Sequence, residues 1–254
     1  MLRPRIIPCL LLEQKGLVKT RRFAEPRYVG DPLNAVRIFN EKEVDEIMVL
    51  DISATRRGTS PNLKLIQNLA AECRMPLCYG GGITTVEEAA KIIGLGVEKV
   101  SLGASVISNP RLIANIAREV GSQSVVAVVD VKSEGPGSWI AYTHNGTQSS
   151  GRSAVDVARE AEALGAGEIV VNSIDRDGVM GGYDLDLARS VRGAVTVPMT
   201  VLGGAGSLAD IKALIHEFGI VGAAAGSLFV FNGPYRAVLI TYPRREMRAQ
   251  LYVQ

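Results

Sequence analysis

The chain repeats itself at half its length, and that repeat decides most of what it can fold into. Met75-Pro76-Leu77-Cys78-Tyr79-Gly80-Gly81-Gly82 recurs as Val197-Pro198-Met199-Thr200-Val201-Leu202-Gly203-Gly204, and Asp45-Glu46-Ile47 recurs as Gly167-Glu168-Ile169, both at a spacing of 122 residues. Val100 to Ala104 recurs as Ala223 to Ser227 after a one-residue slip. Solenoid periods are shorter than this, so the repeat points to two fused halves of one body. Short β-branched runs at 5–11, 46–51, 76–80, 98–103, 124–130, 168–173, 198–203 and 221–226 read as strands. Helical patterns lie between them. Asp31 to Val44 has an Asp N-cap and Pro32 at the first helical position; Ser153 to Leu164 is closed by Gly165, and Ser207 to Phe218 by Gly219. Eight strand–helix units in 254 residues is the count of a closed (β/α)8 TIM barrel. The expectation is one α/β domain, 1–254, made of half-barrels at about 1–122 and 123–254, with no linker at the join. An open doubly wound sheet is the alternative that alternation alone leaves.

Composition excludes several function classes. A net charge of +2 gives no strong field for nucleic acid or an anionic membrane, and 5% aromatics give no base-stacking surface. Cys9, Cys73 and Cys78 are odd in number and form no metal-ligand grouping with the two histidines, which fits a reducing compartment. Pro8 and Glu13 interrupt the first apolar stretch, so it does not read as a signal peptide. The apolar run from Ile220 to Phe231 is well short of the roughly 18 residues of a membrane span. The expected location is the cytoplasm, with no membrane span, no metal and no cofactor.

In such a barrel the site lies at the C-terminal ends of the strands. Gly80-Gly81-Gly82 with Gly103-Ala104-Ser105 falls there in one half, and Gly203-Gly204-Ala205-Gly206 with Gly226-Ser227 in the other. Glycine lets backbone approach a phosphate, and N–H groups at a following helix start point at its oxygens. One such run is a weak signal. Four in register predict a ligand with a phosphate at each end. The halves differ elsewhere: Ser124 to Val129 ends in Asp130, whereas Arg5 to Leu12 carries Leu11. One member of a pair of carboxylates suited to acid–base work is therefore absent.

Several blocks together resemble the cyclase subunit of imidazole glycerol phosphate synthase, an enzyme of histidine biosynthesis. They are Arg5-Ile6-Ile7-Pro8-Cys9-Leu10, Gly16-Leu17-Val18-Lys19, Val49-Leu50-Asp51-Ile52, Gly80-Gly81-Gly82-Ile83, Asp130-Val131-Lys132, Asp175-Arg176-Asp177-Gly178 with Gly182-Tyr183-Asp184, and Gly203-Gly204-Ala205-Gly206-Ser207. The resemblance runs from Arg3 to about Phe231. It implies a glutaminase partner docked under the barrel, whose ammonia travels up the barrel to a linear bis-phosphate ribonucleotide that is cleaved and cyclised. It also implies catalytic roles for Asp130 and Lys19, phosphate contacts at Gly81, Gly82, Ala104, Gly203, Gly204, Gly226 and Ser227, and substrate contacts at Asp51, Ser173 and Asp177. At the lower end it implies an ammonia gate of Arg5, Glu46, Lys99 and Glu168, with Glu98 as a contact to the partner.

The chain departs from that family at two site positions. Leu11 stands where the family has its first catalytic aspartate, while Cys9 and Lys19 match on either side without a gap. Gly103 stands where asparagine is usual; Glu13, two residues beyond Leu11, is the candidate substitute base. An intact lower end with an altered upper end resembles a divergent branch, the glycosyl-amidation-associated proteins of bacterial surface-polysaccharide pathways. Those implicate a sugar-amidating enzyme as a further partner. The block Tyr28 to Asp45 and the tail Asn232 to Pro243 carry the likeness. Three activities follow as expectations: an ammonia-conducting subunit for sugar amidation, a working cyclase using Asp130, or the related isomerase of the same pathway. The isomerase has no use for the lower charges.

Overall fold

The computed structural model describes residues 3–14 and 16–252. The outermost residues of the expected single domain, 1, 2, 253 and 254, lie outside them. Eight parallel strands form the barrel: β1 (Arg5–Glu13), β2 (Ile47–Asp51), β3 (Leu77–Gly80), β4 (Lys99–Leu102), β5 (Val125–Ser133), β6 (Glu168–Ser173), β7 (Met199–Leu202) and β8 (Gly222–Ala225). Each pairs with the next, and β8 pairs with β1 through Arg5↔Gly222 to Pro8↔Ala225, so the sheet closes on itself. Closure removes every free edge from these strands.

The outer ring is α1 (Pro32–Glu41), α2 (Leu63–Glu72), α3 (Val86–Gly94), α4 (Arg111–Val120), α5 (Ala154–Ala163), α6 (Leu185–Arg192), α7 (Leu208–Phe218) and α8 (Arg245–Leu251). Their starts follow from side-chain oxygens that accept otherwise orphaned N–H groups. Asp31 accepts from Asn34, and Ser153 from Asp156. Thr85 with Glu88 and Ser207 with Asp210 form reciprocal capping boxes at equivalent points of the two halves.

Strand parity divides the core in two. Ile6, Leu10, Val49, Leu77, Val100, Ala127, Ile169 and Val201 face the helices, whereas Ile7, Cys9, Met48, Cys78, Val126, Val128, Val170, Leu202 and Ala224 fill the barrel interior. Each fully buried aliphatic side chain contributes about 1.5–3 kcal/mol. The interior is therefore an apolar column with Leu11 and Leu50 at its upper end.

Two hairpins stand above the barrel. One joins Gly16–Arg21 to Ala24–Gly30 after β1, and the other joins Trp139–Thr143 to Gln148–Ser153 after β5. The two halves thus elaborate the same loop position. The three cysteines are free, and no helix among the described residues is long and apolar enough to cross a membrane.

Candidate functional site

A cavity of about 490 Å³ opens at the C-terminal ends of the strands. Its wall includes Asp51, Gly81, Gly82, Ala104, Asp130, Asp177, Gly203, Gly204, Gly226, Ser227 and Lys19. Strand order puts the glycines of β3 and β4 opposite those of β7 and β8. The two glycine sites share their geometry. Gly81 and Gly203 have φ of 115° and 92°, and a Cβ there would come 2.3 Å from the Asp51 carbonyl and 2.6 Å from the Ser173 carbonyl. Only glycine fits without displacing backbone. Gly103 and Gly226 cap the short helices Ala104–Ser108 and Ser227–Val230 with nearly equal dihedrals, φ −106° and −104°.

Asp130 ends the inward face of β5 and is paired in register with Asn172 of β6, whose Nδ2 donates to Asp130 Oδ1 at 2.9 Å. Burial pushes the Asp130 carboxyl up to about 6; the Asn172 hydrogen bond opposes this, and the Asp177 charge adds to it. A carboxyl tuned to that range can both give and take a proton near neutrality. Across the barrel, the equivalent register pair is Leu11 with Leu50. One side of the upper layer is thus polar and titratable, the other apolar. Glu13 points elsewhere: it pairs with Arg56 at 3.1 Å and is not on the cavity wall. The carboxylate missing at Leu11 has no replacement there.

Lys19 projects from the first hairpin, buried to 5% exposure, and its ammonium donates to the Cys9 carbonyl. Burial lowers its pKa, with the Asp177 carboxylate acting against the shift. Burial also lifts the Cys9 thiol to about 11, so it is a neutral wall group. Asp177 has a structural task. The hairpin turns through Arg22 and Phe23, both with positive φ (52° and 62°), a conformation unfavourable for side-chain-bearing residues. Asp177 holds that turn: its Oδ2 accepts from Thr20 Oγ1 at 2.6 Å and from Phe23 N–H at 3.2 Å, and its carbonyl accepts from Arg22 N–H at 2.9 Å. The hairpin that carries Lys19 is thereby fastened to the loop after β6.

Asp51 is similarly engaged, its Oδ1 accepting from Ser53 N–H, Ser53 Oγ and Ala54 N–H at 2.8–3.1 Å. Ser173 is buried and lies off the cavity wall, because strand parity turns it away and brings Asn172 inward. Asn172 escaped sequence reasoning, although its place 42 residues from Asp130 on the neighbouring strand follows once the register is known. So did Thr143, His144 and Asn145 of the second hairpin, which also line the cavity. Among the described residues no group of three or more His, Cys, Asp and Glu side chains could hold a metal ion.

At the opposite end, Arg5, Glu46, Lys99 and Glu168 form a closed alternating ring. Arg5 bonds both carboxylates, reaching Glu168 at 2.7 Å, and Lys99 reaches Glu46 at 2.8 Å and Glu168 at 2.9 Å. Thr200, not expected from sequence, donates to Glu168 Oε1 at 2.6 Å. Burial pushes the Glu168 carboxyl up, but the charges of Arg5 and Lys99 outweigh it and hold it below the usual range. Glu98 lies outside the ring, exposed, accepting from Leu77 N–H at 2.6 Å.

The model of the histidine biosynthesis protein family matches residues 5–235. A protein of Leptospira interrogans named "Putative imidazole glycerol phosphate synthase subunit HisF" is 55% identical, over 99% of this chain and 100% of its own. One of Vibrio vulnificus, named as subunit hisF3 with the same qualifier, is 56% identical over 96% and 94%. An "Imidazole glycerol phosphate synthase subunit HisF" of Exiguobacterium sibiricum is 42% identical over 90% and 91%. A closed barrel with a duplicated cavity wall, matched along nearly its whole length by these proteins, belongs to the histidine biosynthesis protein family, in its HisF-like group.

Proposed function

We propose that this chain is an ammonia-conducting barrel subunit whose cyclase step is impaired. A glutaminase docks at the lower end, beside the ring and Glu98, and its ammonia passes the ring and rises through the apolar column to the upper cavity. That cavity keeps a site for a bis-phosphate ligand, held at Gly81, Gly82 and Ala104 on one side and at Gly203, Gly204, Gly226 and Ser227 on the other. The ammonia serves a separate enzyme that amidates a surface-polysaccharide sugar. The observation that carries this reading is the contrast between the two ends: all four ring members are paired below, while Leu11 packs on Leu50 above. A general acid or base typically contributes about 10²–10⁴ to a rate. Ammonia is small and neutral, so an apolar column does not oppose its passage as it would an ion's.

The working cyclase is the second reading, favoured by the Asp130 carboxyl near 6 and the buried Lys19 amine at the same cavity. The test of the first reading is to mix the chain with the glutaminase subunit of its own source and follow both complex formation and glutamine hydrolysis. A stoichiometric complex with faster hydrolysis is expected, and Lys99→Ala should raise the share of ammonia released to solvent. Two proteins that neither associate nor alter hydrolysis would refute the docking half of the proposal.

A further inference from the structure

The exposed apolar side chains gather at one place on the upper rim. Of the eight large hydrophobic side chains that are exposed among the described residues, four are Tyr28, Tyr235, Val238 and Leu239, and the two tyrosines are 67% and 93% exposed. Tyr28 stands on the first hairpin; the other three lie in or beside the short antiparallel pair of Phe231–Asn232 with Ala237–Val238. Phe231 joins the two. The Arg27 guanidinium lies 5.5 Å from its ring centroid and that of Arg236 5.6 Å, both within the range of a cation–ring attraction. The patch borders the cavity mouth, because Arg236 Nη2 donates at 2.8 Å to the carbonyl of Gly178, which is on the cavity wall.

The patch is also basic. Residues 21–28 and 231–239 hold Arg21, Arg22, Arg27 and Arg236 against one carboxylate, Glu25. Arg22 and Arg236 donate to the carbonyls of Asp175 and Gly178, and none of the four pairs with a carboxylate among the described residues. Tyrosine and arginine are among the side chains that carry most of the binding energy at protein interfaces. Positive charge alone would suit a passing anionic ligand. Val238 and Leu239 beside it, 45% and 52% exposed, suit a protein surface that covers them.

We infer that this patch docks the ammonia-consuming enzyme, through a carboxylate-rich face around that enzyme's ammonia inlet. The inference rests on the reading of the barrel as an ammonia conduit for a separate enzyme. Ammonia rising through the column leaves at the upper cavity, where water at neutral pH turns most of it into ammonium, which has no lone pair to attack with. Delivery therefore requires the consumer to sit over the mouth. The patch at that rim is prepared for it. Phe231 holds two guanidiniums in place, and the Tyr28 ring lies against the hairpin at Gly16, where a Cβ would come within 2.6 Å of it. A carboxylate-rich face would pair the arginines while covering the tyrosines.

The experiment uses the chain in complex with the glutaminase of its own source. It measures binding of the sugar-amidating enzyme of that source by surface plasmon resonance, and the ammonia lost to solvent while the full assembly turns over glutamine. Tyr28→Ser with Tyr235→Ser should weaken that binding about thirty-fold or more and raise the ammonia lost. Arg21→Glu with Arg27→Glu should slow association and flatten its salt dependence. Ile38→Ser, at an exposed apolar side chain on α1 outside the patch, should change neither. Glutaminase activation should be the same in every variant, which shows that each is folded. Unchanged binding by the tyrosine variant would overturn the docking surface. So would a dimer of the unmodified chain that the tyrosine substitutions dissociate, or retention on anionic lipid vesicles that they abolish, since either gives the patch to another occupant. An amidating enzyme that does not bind the unmodified complex would instead remove the delivery reading itself, and the inference with it.

Discussion

Asp130→Asn should stabilise the protein at neutral pH, which is unusual for a change at a cavity wall. The folded chain raises this carboxyl from 3.8 to about 6 because it is buried. It therefore holds the proton more tightly than the unfolded chain does. The sign follows: below pH 3.8 both states are protonated and the residue costs nothing. The cost grows as pH rises from 3.8 to about 6 and is constant above that. At about 1.4 kcal/mol per tenfold change in proton affinity, the ionised carboxylate costs the fold about 3 kcal/mol at pH 8. Asparagine keeps an oxygen that can accept from Asn172 Nδ2, so most of that cost should be recovered. For a chain of this size the midpoint of thermal unfolding should rise by about 5 °C or more at pH 8 and move little at pH 4. Unfolding curves of both proteins at the two pH values decide it. Equal stability at pH 8, or a less stable variant, would refute the claim that Asp130 is held charged against its surroundings.

The ring predicts the opposite sign. Glu168→Ala leaves Arg5 and Lys99 with one carboxylate between them and should cost about 3–5 kcal/mol in urea unfolding. Because the folded Glu168 carboxyl is held low, that loss should shrink as pH falls through its depressed value. Gly203→Ala forces a Cβ to within 2.6 Å of the Ser173 carbonyl at φ 92°. Calorimetry should show bis-phosphate binding weakened by about ten-fold or more, with about 1–3 kcal/mol of stability lost. Thr20→Val removes the hydroxyl that Asp177 accepts from. Trypsin should then cut at Arg21 or Arg22 several-fold faster, as expected for about 1 kcal/mol of lost restraint.

Much of the barrel was legible because buried parallel strands announce themselves as short β-branched runs and the repeat supplies a second copy of each. All eight strands fall within about three residues of their expected ends. The cap at Asp31 and the helix starts at Ser153 and Ser207 were equally readable, since each chemistry is local. The two hairpins were not. Ala24–Gly30 is exposed or half-buried throughout and contains Pro26, so it shows no alternation to read. Its pairing depends on Asp177, some 150 residues further along the chain. At the site, sequence placed Leu11 and Asp130 at matching strand ends, but not the register that puts Leu50 beside one and Asn172 beside the other. The resemblance marks Asp177 as a substrate contact, and a place two residues beyond Leu11 marks Glu13 as a candidate base. Their hydrogen-bond partners, Thr20 with Phe23 and Arg56, are visible only in three dimensions.

The measurement that bears most directly on the central claim is turnover of the linear bis-phosphate ribonucleotide by the purified chain with ammonium salt, beside a Leu11→Asp variant, with binding followed in both. An inert chain that still binds the ligand is expected, and the variant should recover activity toward the roughly 10²–10⁴-fold that a positioned carboxylate contributes. Robust turnover by the unmodified chain would contradict the account and make Asp130 and Lys19 sufficient for the chemistry.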